Sequence, residues 1–175
     1  SPLREAFREL EKKGLVKIIP RKGTFVKKIS RKDVEENFPV RAELEGLAAR
    51  LAAKKMTKAA LKEMENLLDK MEKAVLKGNI KAYYNHHFVF HEVFIEQSGN
   101  ELLIGLLKNL RMQSLWHRFS FQYYREDLEK AFQVHKEILK LYQQPQPDPE
   151  AVDRVVADHI LVALDRFMAY LEKFE

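Results

Sequence analysis

After residue 30 the sequence places apolar side chains three and four positions apart over long stretches, which is the spacing of amphipathic helices. Residues that favour helix N-caps separate these stretches: Ser30, Thr57, Asn79, Asn100 and Asp148. The pattern predicts about six helices, over residues 31–56, 58–77, 80–98, 101–124, 125–142 and 149–174. Helices of this length joined by short turns predict an all-α antiparallel helical bundle.

The apolar stripes indicate which face of each helix enters the core. The expected core positions on the first, second and last helices are Val40, Leu44, Leu47, Ala48 and Leu51; Leu61, Met64, Leu68, Met71 and Val75; and Val152, Val155, Val156, Val162 and Tyr170. Pro39 is expected to kink the first helix or to restart it. The fourth helix, from Glu101, is apolar over more than one face, which predicts a central position or an interface.

The first 29 residues follow a different pattern. The segment SPLREAFRELEKKG begins with residues that favour a helix start and ends with a glycine, so it predicts a helix. Its expected buried stripe is Leu3, Ala6, Phe7 and Leu10. Two short β-prone runs follow, Leu15–Ile19 and Thr24–Val26, with a basic Pro-Arg-Lys-Gly turn between them. A helix with exposed arginines and a basic hairpin together predict half of a winged helix-turn-helix.

The charge of the chain is unevenly distributed. Residues 1–32 hold 11 Lys and Arg against 3 Glu, a net charge of +8, whereas residues 33–175 hold 20 against 23 Asp and Glu, a net charge of −3. A basic head on a mildly acidic body indicates that the head binds a polyanion. The chain has no cysteine, which excludes disulfides and thiolate metal sites and fits a cytoplasmic location. No apolar run is long enough to span a membrane, and the first residues do not resemble a signal peptide.

Four of the six histidines lie on the apolar stripes of three predicted helices: His87, His91, His135 and His159. Such imidazoles either form hydrogen bonds within the core or share a metal ion. Four buried rings carry eight nitrogens that need partners, which favours the shared ion. Nitrogen ligands without thiolates suit a divalent transition metal, with Zn²⁺ or Ni²⁺ expected. The other two, His86 and His117, are expected to have ordinary surface or core roles.

The sequence PLREAFRELEKKGLV…RKGTFV resembles the end of the DNA-binding domain of GntR-type transcriptional regulators, whose pattern is close to PVREALRRLEAEGLV…RRGTFV. The resemblance implies that Arg4 reads a base and that Lys22 and Gly23 form the contact at the wing tip. The DNA-binding residues expected on this basis are Ser1, Arg4, Arg8, Arg21, Lys22, Gly23 and Thr24. It also implies two earlier helices, which these 175 residues do not contain. Residues 1–29 are thus expected to be the C-terminal part of the DNA-binding domain.

Residues 30–175 resemble the all-helical effector domain of the FadR-like branch of these regulators, the FCD domain. The characteristic helix of that domain reads D-x-x-F-H…S-G-N, and this chain has His87-Phe88-Val89-Phe90-His91…Ser98-Gly99-Asn100. The resemblance implies that His91, His135 and His159 are metal ligands. His87 stands where the family usually has aspartate, and ligation by His87 would make the site more positive by one charge. Arg41, in an R-x-x-L-E segment, is the implied partner of a carboxylate effector.

The resulting hypothesis is that the chain is a ligand-responsive transcriptional regulator, which is expected to act as a repressor. Its expected partners are operator DNA, a small organic acid and a second copy of the chain, with no membrane. Two alternatives remain at this point, a metal-sensing regulator and a metalloenzyme built in a helical bundle. The bundle lacks the paired Glu-x-x-His motifs of di-iron proteins, and no general base stands beside the histidines, so the chain is not expected to be an enzyme.

Overall fold

The computed structural model of the chain describes residues 1–27, 30–113 and 128–172. Its elements are α1 (Pro2–Lys12), β1 (Val16–Ile19), β2 (Gly23–Val26), α2 (Arg31–Ala53), α3 (Lys58–Leu76), α4 (Ile80–Gln97), α5 (Glu101–Gln113), α6 (Leu128–Tyr142) and α7 (Pro149–Leu171). The predicted fold class is confirmed, because the described chain is mainly helical with one small antiparallel sheet. No helix in these ranges is both long enough and apolar enough to cross a membrane.

The head consists of α1 and a two-stranded hairpin. Val16 pairs with Val26 and Ile19 with Gly23, and Gly23 has a φ of 116°, which favours glycine at the end of the turn. The expected buried stripe of α1 is wrong, because no residue of α1 is buried and Leu3 is 65% exposed. In the described part of the chain this helix packs mainly on β1, which covers too little of its apolar face.

The predicted helix starts are confirmed by side-chain caps. Ser30 and Asp33 form a reciprocal capping box, and the side chains of Thr57 and Asn79 each accept a backbone N–H of the first turn. Asp148 accepts the N–H of the residues that follow Pro149. These hydrogen bonds join residues that are close in the sequence, which explains why the helix starts could be predicted from it.

The prediction for α2 needs one correction, because the helix ends at Ala53 rather than at Met56. Of the two expectations for Pro39, a restart is excluded, since the helix is continuous through this residue. Buried Phe38 and Arg41, on either side of Pro39, anchor both halves in the core and offset the lost backbone hydrogen bond. At the other end Lys55 leaves the helix, and its ammonium group donates a hydrogen bond to the carbonyl oxygen of Ser98.

The core lies between α2 and the helices packed on it, above all α7, with α3 against α4 and α6. The buried residues of α2 are Val34, Phe38, Arg41, Ala42, Glu45, Gly46, Ala48, Ala49, Ala52 and Ala53. Two expected core positions are wrong, since Val40 is 50% exposed and Val162 is 44% exposed. The helices approach through the alanine-rich face of α2, where small residues allow close packing, and these two valines lie outside it.

The described part of α5 is not central, contrary to one of the two expectations for it. It buries Leu103 and Leu107, whereas Leu102 is 74% exposed and Leu106 is 46% exposed. The expected continuation of this helix to residue 124 lies outside the described residues. The same holds for the expected start of the next helix at residues 125–127 and for the side chain of Tyr170.

Candidate metal centre

The structure brings together the four histidines that the sequence singled out. His87 and His91 come from adjacent turns of α4, His135 from α6 and His159 from α7. One ring nitrogen of each lies within 4.8 Å of the others. Two nitrogens that bind one zinc ion at about 2.0–2.1 Å each are at most about 4.2 Å apart. Small side-chain movements would therefore bring all four ring nitrogens to coordination distance. His91 and His135 are buried, and His87 and His159 are partly so.

Hydrogen bonds fix which nitrogen of two of the rings carries the proton. His91 Nδ1–H donates to Glu45 Oε2 over 2.6 Å, and His135 Nδ1–H donates to the carbonyl oxygen of Ala131 over 2.6 Å. A carboxylate and a carbonyl can only accept, so Nδ1 must hold the hydrogen in both rings. The Nε2 atom of each neutral ring therefore carries a lone pair.

These two lone pairs face each other. His91 Nε2 lies 3.1 Å from His135 Nε2, a distance at which two acceptors without a hydrogen between them repel. A metal cation bound to both nitrogens removes this repulsion and satisfies both acceptors. The residues present therefore fit a metal ion, because the tautomers as well as the residue types match one.

The rings are held in the neutral form that metal ligation requires. Burial lowers the pKa of His87 and of His135 well below the usual value, and the neighbouring histidines lower it further. Burial lowers the pKa of His159 to about 3. Burial also lowers the pKa of His91, although the Glu45 carboxylate acts in the opposite direction. Neutral imidazole is the form that donates a lone pair to a metal.

A buried charged group supports the histidines. Glu45 is fully buried, and its Oε1 atom lies 2.9 Å from Arg41 Nε and 3.9 Å from Arg111 Nε. Burial alone would raise the pKa of Glu45, but the two guanidinium groups and His91 lower it below the usual range, so the carboxyl group is ionised. Arg111 also donates to the carbonyl oxygen of Phe88 over 2.8 Å.

Sequence reasoning found Arg41 but did not assign a role to Glu45 or Arg111. The signal for Glu45 was present, since it follows Arg41 by one helical turn and must share its face. Nothing in the sequence near Arg111 marks it as a buried side chain that reaches Glu45, because the contact depends on how α5 lies against α2.

Two cavities adjoin the histidines. A small one of about 10 Å³, room for about one water molecule, is lined by Arg41, Tyr83, Tyr84, His87, Ala131, His159, Ile160 and Ala163. A larger groove of about 230 Å³ runs between α6 and α7. Ala131, His159 and Ala163 line both, so the groove meets the histidine cluster at the imidazole of His159.

The residues expected to contact DNA lie on the head. Ser1 precedes α1, and Arg4 and Arg8 project from this helix as exposed side chains. Arg21, Lys22 and Gly23 are exposed in the hairpin turn, while Thr24 is half-buried. Of the two remaining histidines, His86 is half-buried next to the cluster-bearing face of α4, and His117 lies outside the described residues.

Comparison with known proteins gives a consistent result. The model of the FCD domain family matches residues 36–161. The chain is 35% identical over 111 residues to the HTH-type transcriptional regulator YdhC of Bacillus subtilis, and this alignment covers 63% of this chain and 50% of YdhC. It is 26% identical over 159 residues to the HTH-type transcriptional repressor RspR of Escherichia coli, and this alignment covers 91% of this chain and 69% of RspR.

Among solved structures, the fold is similar to that of E. coli McbR/YncC, with a TM-score of 0.84 at 20% identity over 95% of this chain and 83% of the other. The chain thus spans about half the length of YdhC and somewhat more than two thirds of RspR. The matched family and these relatives are transcriptional regulators and not enzymes. The chain therefore belongs to the FCD-domain family.

Proposed function

We propose that the protein is a DNA-binding transcriptional repressor whose helical domain holds one divalent metal ion and responds to a small organic acid. The observation that carries the metal site is the 3.1 Å approach of two Nε2 lone pairs, His91 to His135, inside a cluster of four neutral histidines. When bound, the ion supplies two positive charges and positions for an anionic ligand. His87, His91, His135 and His159 would hold it.

The ligand set favours Zn²⁺ or Ni²⁺. Four imidazoles without thiolate or carboxylate in the set suit borderline transition metals better than Mg²⁺ or Ca²⁺, which prefer oxygen ligands. Because none of the four ligands is charged, the ion keeps its full double charge. This excess charge favours an anion as the further ligand.

The charges around the cluster favour an organic acid as the effector. Arg41 and Arg111 contribute two positive charges against the single negative charge of Glu45, before any metal is counted. The small cavity at Arg41 has too little room for an acid, but the adjoining groove of about 230 Å³ adds the required volume. A carboxylate reaching the metal and Arg41 from this groove would satisfy both cations.

The head would provide the DNA contact. Residues 1–29 would form the C-terminal part of a winged helix-turn-helix, and residues 30–175 the effector domain. Exposed Arg4 and Arg8 on α1, with the basic turn at Arg21 and Lys22, match a recognition helix and a wing. RspR is named a repressor, which favours that direction of control here. We propose a homodimer as the DNA-bound state, since two heads would read two half-sites.

The test of this function is a thermal-shift screen of organic acids on the protein with and without metal. An acid at about 100 times its Kd should stabilise the metal-loaded protein by about 2.7 kcal/mol. The metal-free protein should show little shift, because the main cation is missing. Incubation should yield no product from the acid.

Arg41 and Arg50 provide a matched pair of variants on the same helix. Arg41→Lys should weaken acid binding about tenfold, because a lysine cannot replace a bidentate guanidinium. Arg50→Lys, at a half-exposed residue that pairs with Glu150, should not. Equal shifts with and without metal would contradict the effector site. Release of DNA by metal alone, with no acid present, would instead identify a metal sensor.

A further inference from the structure

The Glu45 carboxylate contacts two different groups with its two oxygen atoms. Oε2 accepts the Nδ1–H of His91 over 2.6 Å, whereas Oε1 faces Arg41 at 2.9 Å and Arg111 at 3.9 Å. In the described ranges Glu45 is the only acidic side chain classed as buried, with 0% exposure. Burying a carboxylate is costly unless its partners compensate, so its position calls for a physical explanation.

The arrangement makes Glu45 an acceptor only. The two guanidinium groups beside Oε1 keep the carboxylate ionised, so it has no proton to donate. The ring of His91 must therefore turn its Nδ1–H towards Oε2, which directs Nε2 into the histidine cluster. An imidazole without such a partner is free to place its hydrogen on either nitrogen, and the wrong choice blocks the ligating atom.

We propose that Glu45 is the positioning residue of the metal centre, which fixes both the tautomer and the orientation of His91 and raises the electron donation of its Nε2 atom. This inference rests on the proposed metal site. Such a carboxylate–histidine pair increases the basicity of the ligating nitrogen. His135 has only the neutral carbonyl of Ala131 behind it, so His91 becomes the stronger donor of the two.

A purely structural role for Glu45 has different consequences. If the carboxylate served only to neutralise Arg41 and Arg111, its replacement would lower the stability of the fold but leave the ring of His91 and the metal affinity unchanged. The tautomer of His91 and the affinity for metal in a folded variant therefore distinguish the two roles.

The test uses Glu45→Gln with Glu43→Gln as the matched control. Glu43 is exposed on the same helix, two residues away, and its replacement removes the same charge. Binding of Zn²⁺ or Ni²⁺ is measured by competition with a chelator, and circular dichroism confirms the fold. Glu45→Gln should still bind one ion, with affinity lowered about 10- to 100-fold, the usual effect of losing such a partner. Glu43→Gln should bind as the wild type does.

The second measurement needs no metal. In the metal-free wild type, ¹⁵N NMR of the imidazoles should show the hydrogen of His91 on Nδ1, and in Glu45→Gln this preference should weaken. If Glu45→Gln does not fold, Glu45→Asp keeps the charge beside the arginines but is one methylene too short for His91. It should show the same loss of metal affinity.

Two outcomes would overturn the inference while leaving the metal site intact. One is wild-type affinity in the folded Glu45 variants, and the other is a wild-type His91 with its hydrogen on Nε2. If the wild type binds no metal, so that His135→Ala leaves the metal content unchanged, the proposed metal site itself fails. The positioning role of Glu45 then fails with it.

Discussion

At the scale of single residues, the buried histidines make stability depend on pH. In the folded, metal-free protein the pKa of His87, His91, His135 and His159 lies below the usual 6.5. Well above pH 6.5 the rings are neutral in both the folded and the unfolded state and contribute no pH dependence. Below it the unfolded chain binds protons that the folded chain does not, so stability falls as pH falls.

We therefore expect the denaturation midpoint of the metal-free protein to change little near pH 8 and to decrease progressively from about pH 7.5 to pH 5. Each histidine contributes a slope of up to about 1.4 kcal/mol per pH unit. His159→Gln should reduce the slope by removing one titrating group. A midpoint that rises on acidification would contradict the neutral, buried state of the cluster.

The role of His87 is open to a direct test, because the resemblance places aspartate at this position. His87→Asp should still bind metal, with a preference shifted towards harder cations and a weaker hold on anions, since the site loses one positive charge. His87→Ala should weaken metal binding. His86→Ala, one residue away and outside the cluster, is the control. If His87→Ala binds metal as tightly as His86→Ala does, the site has three histidines rather than four.

A site residue was predictable from the sequence when its position follows from its own helix, and was not when it depends on contacts between helices distant in the sequence. His87, His91, His135 and His159 were predictable because each lies on the apolar stripe of its own helix. Glu45 was partly predictable, since helical spacing places it beside Arg41. Arg111 was not, because no local pattern shows that α5 directs its side chain towards α2.

At the scale of the elements, the close packing of α2 and α7 is a feature that the sequence did not predict. The stripes indicated Val40 and Val162 as core residues, yet both are exposed. Helix starts were predictable from capping residues, which act within one turn. Most of the buried face of α2 was not, because apart from Val34 and Phe38 it consists of small and charged residues that a search for large apolar side chains passes over.

At Gly46 the two helices approach each other closely. A Cβ at this position would lie 2.3 Å from Asp153 Oδ1 and 3.2 Å from the Asp153 carbonyl oxygen. Gly46→Ala should displace the Asp153 side chain from Arg50 and lower the free energy of unfolding by about 1 kcal/mol, at the lower end of overpacking costs. Gly105→Ala is the control, because nothing lies within 4 Å of its Cβ. It should stabilise the protein by about 0.5–1 kcal/mol through helix propensity.

Chemical denaturation of the two glycine variants measures both effects. Equal stabilisation by Gly46→Ala and Gly105→Ala would show that α7 does not press against α2 at this residue.

The exposed basic residues of α1 and of the hairpin turn lead to a prediction about DNA binding. If Arg4 reads a base, Arg4→Ala in the intact regulator should cost about 1–3 kcal/mol on a selected DNA site and blur the preference at one position. Lys22→Ala should weaken binding to all sequences and reduce the salt dependence by about one charge. Titrations of selected and random duplexes at several salt concentrations separate the two. Equal losses on both duplexes for Arg4→Ala would exclude base reading.

At the scale of the whole molecule, the charge distribution and the histidine cluster distinguish two parts of the chain. The positive charge of the chain is concentrated in residues 1–32, whereas the rest is slightly acidic and holds the histidines. An ion held between α4, α6 and α7 ties three helices together that are distant in the sequence. Metal should therefore stabilise the bundle as a unit, because the unfolded chain does not hold these ligands in place.

The most direct test of the proposed metal site is the amount of metal bound per chain, measured by elemental analysis after loading with Zn²⁺ or Ni²⁺ and washing with a weak chelator. A four-histidine site should hold one ion per chain in the wild type and in His86→Ala, with a raised melting temperature that returns to the metal-free value on chelation. His91→Ala and His135→Ala, which remove the two facing Nε2 atoms, should lose most of the ion. A folded wild type that retains no metal, or a folded His91→Ala that retains it fully, would exclude a metal ion shared by these histidines.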